Sequence, residues 1–247
     1  MLLISALLCS TYAAVAQTQV IAHRGYWKTD GSAQNSITAL QKADSIGCYG
    51  SEFDVWLAAD GQLVVNHDPT YKGMRIEGTS SSKLGRLKLS NGENLPTLAQ
   101  YLKAAQPLHT RLILELKGHS KPNRETEAVE KIVALVKEYG LENRMEYISF
   151  SQHAVREFIR LVPAGTPVFY LDGNLSPQQL KEMGCAGPDY HYNVFRKHPE
   201  WIQECHDLGL KVNAWTVNKE EDMKWLIEQK ADFITTNEPI MLQMLLK

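Results

Sequence analysis

The stretch from Ser51 to Asp68, SEFDVWLAADGQLVVNHD, decides the fold. Phe53, Val55, Trp56 and Leu57 mark a buried strand, yet Glu52 and Asp54 stand two residues apart on it and so project to one side, opposite Phe53 and Val55. A strand of a parallel sheet is covered on both faces and reads as a nearly continuous apolar run, so an inward carboxylate there needs a donor or a cation. The pair Asp60-Gly61 then turns the chain, and QLVVNHD reads as an extra strand that closes on His67.

Outward from this stretch the same rhythm repeats. Short β-branched runs alternate with amphipathic segments: QVIAH (19–23), GSEFDVWL (50–57), RLILELK (111–117), MEYISF (145–150), PVFYLD (167–172), DYHYNV (189–194), KVNAWTV (211–217) and ADFITT (231–236). Between them lie helical patterns such as SITALQKADSIG, RETEAVEKIVALVKEYG and PEWIQECHDLG, which end at the glycine expected just past a helix. Eight strand–helix units predict an α/β protein built as a closed (β/α)8 TIM barrel, with a small insertion after the second strand. That insertion runs from Leu63 to Pro96, and its polar part, Lys72 to Gly92, reads as a solvent-exposed connection at the barrel mouth, with a lid or specificity element as the alternative.

At 247 residues and 44% hydrophobic content the chain can bury one full core. A formal net charge of −2 and a pI near 6.5, without a long basic run, exclude the electrostatic footprint of a nucleic-acid binder. Leu2 to Ala14 is apolar but too short to span a bilayer, and Ala14-Val15-Ala16 has the small-x-small pattern of a signal-peptidase site. Residues 1–16 are therefore expected to be a signal peptide and 17–247 the mature domain, exported to the periplasm or secreted, without stable membrane insertion. Cys48, Cys185 and Cys205 lie far apart, without zinc or disulfide spacing, and read as packing residues.

The candidate chemistry gathers at strand ends. Glu115 and Lys117 repeat on the third strand the spacing of Glu52 and Asp54 on the second. Three carboxylates at one barrel mouth repel one another unless a cation sits among them, and an all-oxygen set favours a hard ion, Ca²⁺ or Mg²⁺. His23, in AHRGYW, and His67, in VVNHD, frame the same region, and two imidazoles can divide base and acid duties across one displacement. Arg24 offers a planar fork to phosphate and Lys117 a point charge. Strand alternation would aim Arg24 away from His23 unless the chain turns at Gly25. With one divalent ion these groups retain one net positive charge, which a phosphodiester monoanion neutralises.

In order and spacing, IAHRG, QNSITALQKADSIG, GSEFDVWLAADGQLVVNHDPT, LPTLAQYL, LILELK, VNAWTVN and ITTNEP resemble the glycerophosphodiester phosphodiesterases, over essentially the whole mature chain. The resemblance implies a barrel that cleaves small glycerophosphodiesters to sn-glycerol 3-phosphate and an alcohol with one divalent cation. It implies Glu52, Asp54 and Glu115 as metal ligands, His23 and His67 as the acid/base pair, and Arg24 and Lys117 as phosphate ligands. Trp215 matches a family tryptophan that can line the glycerol side, and Asn35 is expected to orient the loop or a histidine near the substrate. Gln34 departs from the pattern, standing where the family usually has a glutamate. The nucleophile, water or the glycerol 2-hydroxyl, stays open, as do the order of the histidines and the oligomeric state.

Three rivals stand beside this reading. A phospholipase D-like lipid phosphodiesterase lacks its basic amphipathic helix here. A noncatalytic exported phosphodiester-binding barrel has no use for two histidines. A glycosidase fits the Glu-x-Asp spacing on a single strand less well than metal ligation does.

Overall fold

The computed structural model describes residues 17–247. The expected signal peptide lies outside the described residues. The strands are β1 (Gln19–Ala22), β2 (Gly50–Leu57), β3 (Leu63–Val65), β4 (Thr70–Tyr71), β5 (Met74–Arg75), β6 (Arg111–Leu116), β7 (Met145–Ser149), β8 (Val168–Tyr170), β9 (Gly187–His191), β10 (Asn213–Trp215) and β11 (Phe233–Thr236). The helices are α1 (Ile37–Ser45), α2 (Ser81–Leu84), α3 (Leu98–Ala105), α4 (Pro122–Glu138), α5 (Gln152–Leu161), α6 (Pro177–Met183), α7 (Tyr192–Lys197), α8 (Glu200–Asp207), α9 (Glu220–Glu228) and α10 (Pro239–Leu245).

Eight parallel strands, in the order β1-β2-β6-β7-β8-β9-β10-β11, close on themselves through the β1–β11 pairing, which is the TIM barrel expected from the sequence. Every residue of β2 is buried, as a strand covered on both faces requires. Its outward residues Phe53 and Val55 pack with Leu114 and Leu116 against the helices, while Ile21, Ile113, Ile148, Phe169, Leu171 and Phe233 fill the barrel. At roughly 1.5–3 kcal/mol for each fully buried large apolar side chain, this two-layer core dominates the stability of the fold.

Most strands are shorter than the apolar runs that announced them. The sixth barrel strand also shifts, beginning at Gly187 rather than Asp189 and ending at His191. There the His191 ring accepts the Asn193 N–H, and the chain turns into α7, so Tyr192 to Val194 are helix rather than strand.

β3 runs antiparallel to β2 after the Asp60-Gly61 turn, pairing Val55 with Val65 and Leu57 with Leu63. The segment that follows is not a bare exposed connection. It folds into the β4–β5 hairpin, a 3₁₀ turn at Ile76–Gly78 and α2, and it buries Ile76, Leu84, Leu89 and Leu95 against Ala33, Trp56 and Val64. Its apolar residues are scattered singly among polar ones, which hides this second core from any periodicity. Three bonds tie it to the segment around α1: Glu93 accepts the N–H groups of Ile37 and Thr38 at the start of α1, and Asn91 Nδ2 donates to Gly31 O.

Cys48, Cys185 and Cys205 are free and buried, in keeping with packing roles. No helix among the described residues is long and apolar enough to cross a membrane.

Candidate active site

Register brings the carboxylates together. β2 and β6 are neighbours, and Asp54 lies directly opposite Glu115, with Glu52 one inward position earlier on β2. Glu52, Asp54 and Glu115 are all buried, and each offers a carboxylate oxygen within 4.8 Å of the other two. Their surroundings are uneven. Asp54 Oδ2 accepts Asn35 Nδ2 at 2.8 Å and Oδ1 faces Lys117 Nζ at 3.3 Å. Glu52 Oε2 accepts the Arg24 backbone N–H at 2.8 Å, but its buried Oε1 has no hydrogen-bond partner. Glu115 Oε1 meets Lys117 Nζ at 2.6 Å, an ammonium that Asp54 Oδ1 shares from 3.3 Å.

The protonation states follow from this arrangement. Burial, then Asp54 and Glu115, push Glu52 well above the carboxylate range. Burial and then Asp54 raise Glu115 to about 7. Burial pushes Asp54 up as well, but Lys117, His67, Arg24 and the Asn35 amide outweigh it and hold Asp54 below its ordinary value. Without an ion, then, one carboxylate keeps its charge and its neighbours are driven toward the proton. A buried Glu52 oxygen without a donor, in an all-oxygen set of three carboxylates that converge on one lysine, is what a hard divalent cation would satisfy.

His23 follows β1 directly. Trp27 Nε1 can only donate, and it meets Asn237 Oδ1 at 3.1 Å, which fixes that atom as the amide oxygen. His23 Nδ1 faces the same oxygen at 2.8 Å and so carries the proton, leaving the Nε2 lone pair toward the site, 3.9 Å from Glu52 Oε2. Burial, then the Arg24 charge, lower the His23 pKa to about 4, so the ring is neutral at pH 7. His67 is partly exposed and pairs through Nδ1 with Asp68 Oδ1 at 2.7 Å. Burial lowers its pKa too, and Asp54 and Asp68 only partly offset this. Its backbone is anchored by Trp56 Nε1, which donates to His67 O, and by Asn66 N–H, which donates to Asp54 O.

The turn that frees Arg24 from strand alternation begins at Arg24 itself, with φ of 56°, and continues through Gly25 at 76°. A Cβ at Gly25 would lie 2.6 Å from that of Ala39, so only glycine lets α1 pack this close. Arg24 Nε then sits 3.7 Å from Asp54 Oδ2, and Nη1 donates to Gln34 Oε1 at 2.6 Å. Gln34 thus meets the site through Arg24. Asn35, expected to orient the loop or a histidine at the substrate, instead clamps Asp54: beyond the Nδ2 bond, its Oδ1 accepts the Asp54 backbone N–H at 3.1 Å. Both polar atoms of its amide are engaged there.

The site opens into a space of about 460 Å³ at the barrel mouth, including the part open to solvent, lined by His23, Arg24, Glu52, His67, Glu115 and Lys117 on one side and Phe150, Asp189 and Trp215 on the other. Trp215 meets Phe150 edge-on, with ring centres 5.5 Å apart, and donates Nε1 to Asp189 O. Three residues of this region escaped the sequence reading. Asn237 lies two positions beyond Thr235, where alternation from β11 points it inward. Asp189 is an acid within an apolar strand, the same signal that marked Glu52. His119 fixes the Lys117 backbone, donating Nδ1–H to Lys117 O while Nε2 accepts Leu57 N–H, and no local pattern announces it.

The comparisons with known proteins agree with this geometry. The model of the Glycerophosphoryl diester phosphodiesterase family matches residues 23–241. The fold is similar to that of a glycerophosphodiester phosphodiesterase from Parabacteroides distasonis, with TM-score 0.92 and 51% identity over 94% of this chain and 97% of that one. It is also similar to an Oleispira antarctica phosphodiesterase solved in complex with the product sn-glycerol-3-phosphate, with TM-score 0.78 and 26% identity over 92% and 96% of the chains. A glycerophosphodiester phosphodiesterase of Caldanaerobacter subterraneus is 29% identical over 90% of this chain and 95% of its own length. The chain belongs to the glycerophosphoryl diester phosphodiesterase family of phosphoric diester hydrolases.

Proposed function

We propose that this chain is an exported, metal-dependent enzyme that hydrolyses small glycerophosphodiesters to sn-glycerol 3-phosphate and an alcohol. The observation that carries the reading is the convergence of Glu52, Asp54 and Glu115, with a buried Glu52 oxygen lacking any donor, beside two imidazoles. These three carboxylates would hold one Ca²⁺ or Mg²⁺. Bound there, such an ion supplies Lewis-acid polarisation of a phosphoryl oxygen.

The rest of the chemistry falls to the chain's own groups. Arg24 and Lys117 hold the phosphate oxygens, and Asn35 positions Asp54. His23 Nε2, unprotonated and aimed into the site, takes the proton of the nucleophile, which is water or the glycerol 2-hydroxyl. His67, in its protonated form and with Asp68 behind its Nδ1, donates the proton of its other ring nitrogen to the departing alcohol oxygen as the P–O bond breaks. Trp215 and Phe150 line the glycerol side. Export rests on the apolar leader and the Ala14-Val15-Ala16 site.

The test is a hydrolysis assay on chelator-treated protein. Release of sn-glycerol 3-phosphate should stop without metal and return with Ca²⁺ or Mg²⁺. Undiminished hydrolysis in metal-free buffer would contradict the reading.

A further inference from the structure

A second, larger space adjoins the barrel cavity. It measures about 920 Å³, including the part open to solvent, and lies between the β1–α1 loop and the insertion that follows β3. Arg24 and His67 line both spaces, so a phosphate held at Arg24 stands where they meet. An in-line displacement sends its two ester arms in different directions, and only the barrel cavity reaches His23. The outer groove is thus the place for the leaving alcohol, next to His67.

The lining of this groove discriminates between head groups. Trp27 and Tyr71 present aromatic rings, the usual means of holding a quaternary ammonium. Each ring, however, already has a lysine ammonium over it, Lys28 Nζ at 5.6 Å from the Trp27 centre and Lys72 Nζ at 5.7 Å from that of Tyr71. Among the described lining residues Asp68 carries the one carboxylate, and His67 holds it. Lys28 pairs in turn with Glu238, so a cationic head group would meet like charge chiefly from Lys72, and no free acid lines the groove. Neutral hydrogen-bonding groups remain. Gln34 spends its carbonyl on Arg24 and keeps its NH₂ as a donor, Asn66 spends its NH₂ on Asp68 O and keeps its carbonyl as an acceptor, and the Ser90 hydroxyl serves as either. Mixed donors and acceptors of this kind suit neighbouring hydroxyls.

We infer that the outer groove binds the leaving alcohol and selects neutral polyhydroxylated head groups, of the glycerol or inositol kind, over quaternary ammonium ones. This rests on the hydrolase reading above. The test measures kcat/KM for four diesters of glycerol 3-phosphate, carrying methanol, glycerol, inositol or choline. The wild type should favour the glycerol and inositol esters over the choline ester by about tenfold or more, the worth of one or two added hydrogen bonds. Ser90→Trp, at an exposed position, should cost more as the head group grows, least for methanol and most for inositol. Removing both lysine caps, with Lys28→Met and Lys72→Gly, should move the choline-to-glycerol ratio toward choline by about fivefold; glycine suits the positive φ of residue 72.

A wild type that turns over the choline ester as fast as the polyol esters overturns the inference. So does an equal loss on all four esters in Ser90→Trp protein that melts like the wild type. Turnover of the methanol ester keeps the two readings apart: if it proceeds and selectivity fails, the groove assignment alone falls, and if no ester is cleaved, the hydrolase reading falls with it.

Discussion

Glu115 and Glu146 sit on neighbouring strands near opposite ends of the barrel, and both are buried, yet the chain treats them differently. Glu146 Oε1 accepts the Tyr49 hydroxyl and Arg111 Nε, each at 2.6 Å, so the protein itself meets its charge. Glu115 has one cation, Lys117 at 2.6 Å, which it shares with Asp54, and Glu52 beside it keeps a buried oxygen without a donor. A buried carboxylate supplied with donors belongs to the framework, and one left short of them is arranged for something from outside. Glu146, toward the amino-terminal end of the barrel, is thus met by the chain's own donors, and Glu52, toward the carboxyl-terminal end, is left short of them.

The comparison can be broken at several points. The largest effect should come from the imidazoles: His23→Ala or His67→Ala should lower turnover by roughly 10²- to 10⁴-fold with unchanged melting, measured by steady-state kinetics and circular dichroism. Normal turnover in folded His67→Ala protein would remove that residue from the mechanism.

Stability should then respond with opposite signs at the two ends. Arg111→Met strips Glu146 of its charged partner and should cost about 2–3 kcal/mol in denaturant unfolding, less than the loss of a fully buried pair because Arg111 keeps some solvent contact. Glu52→Gln replaces a carboxyl that burial and its neighbours already drive toward the proton, and should leave the metal-free protein equally or more stable. If both changes destabilise alike, the two ends are not different in kind.

The smallest effect is in pH. Burial and Asp54 lift the Glu115 pKa from its ordinary 4.5 to about 7 in the folded, metal-free chain. The folded state therefore holds that proton more tightly than the unfolded one. The stability this lends is full below pH 4.5 and is lost as pH rises through about 7. A divalent ion replaces the proton, so added Ca²⁺ or Mg²⁺ should raise Tm more at about pH 8 than at about pH 5. An equal gain at both would mean that the ion binds elsewhere.

Much of this was legible in the sequence, for physical reasons. Strands covered on both faces must be apolar, so eight such runs announced the barrel, and carboxylates two apart on one of them announced the site. Alternation says which side of its own strand a residue faces, but not what it meets there. The Asn35 clamp on Asp54 and the Asn237 bond that sets the His23 tautomer each depend on another element, in the second case one 214 residues away. The insertion stayed obscure for a related reason: Ile76, Leu84 and Leu89 form a core only once folded onto Trp56 and Val64. Arg24 defied alternation because its own left-handed φ starts the turn.

The central claim is that Glu52, Asp54 and Glu115 share one divalent cation. Calorimetric titration of chelator-treated protein with Ca²⁺ and with Mg²⁺ tests it most directly, in the wild type and in Glu115→Gln. One ion bound per chain in the wild type, with binding lost or greatly weakened in the variant, is the predicted result. Equal binding in both proteins, or no binding by a protein that still hydrolyses its substrate, would contradict it.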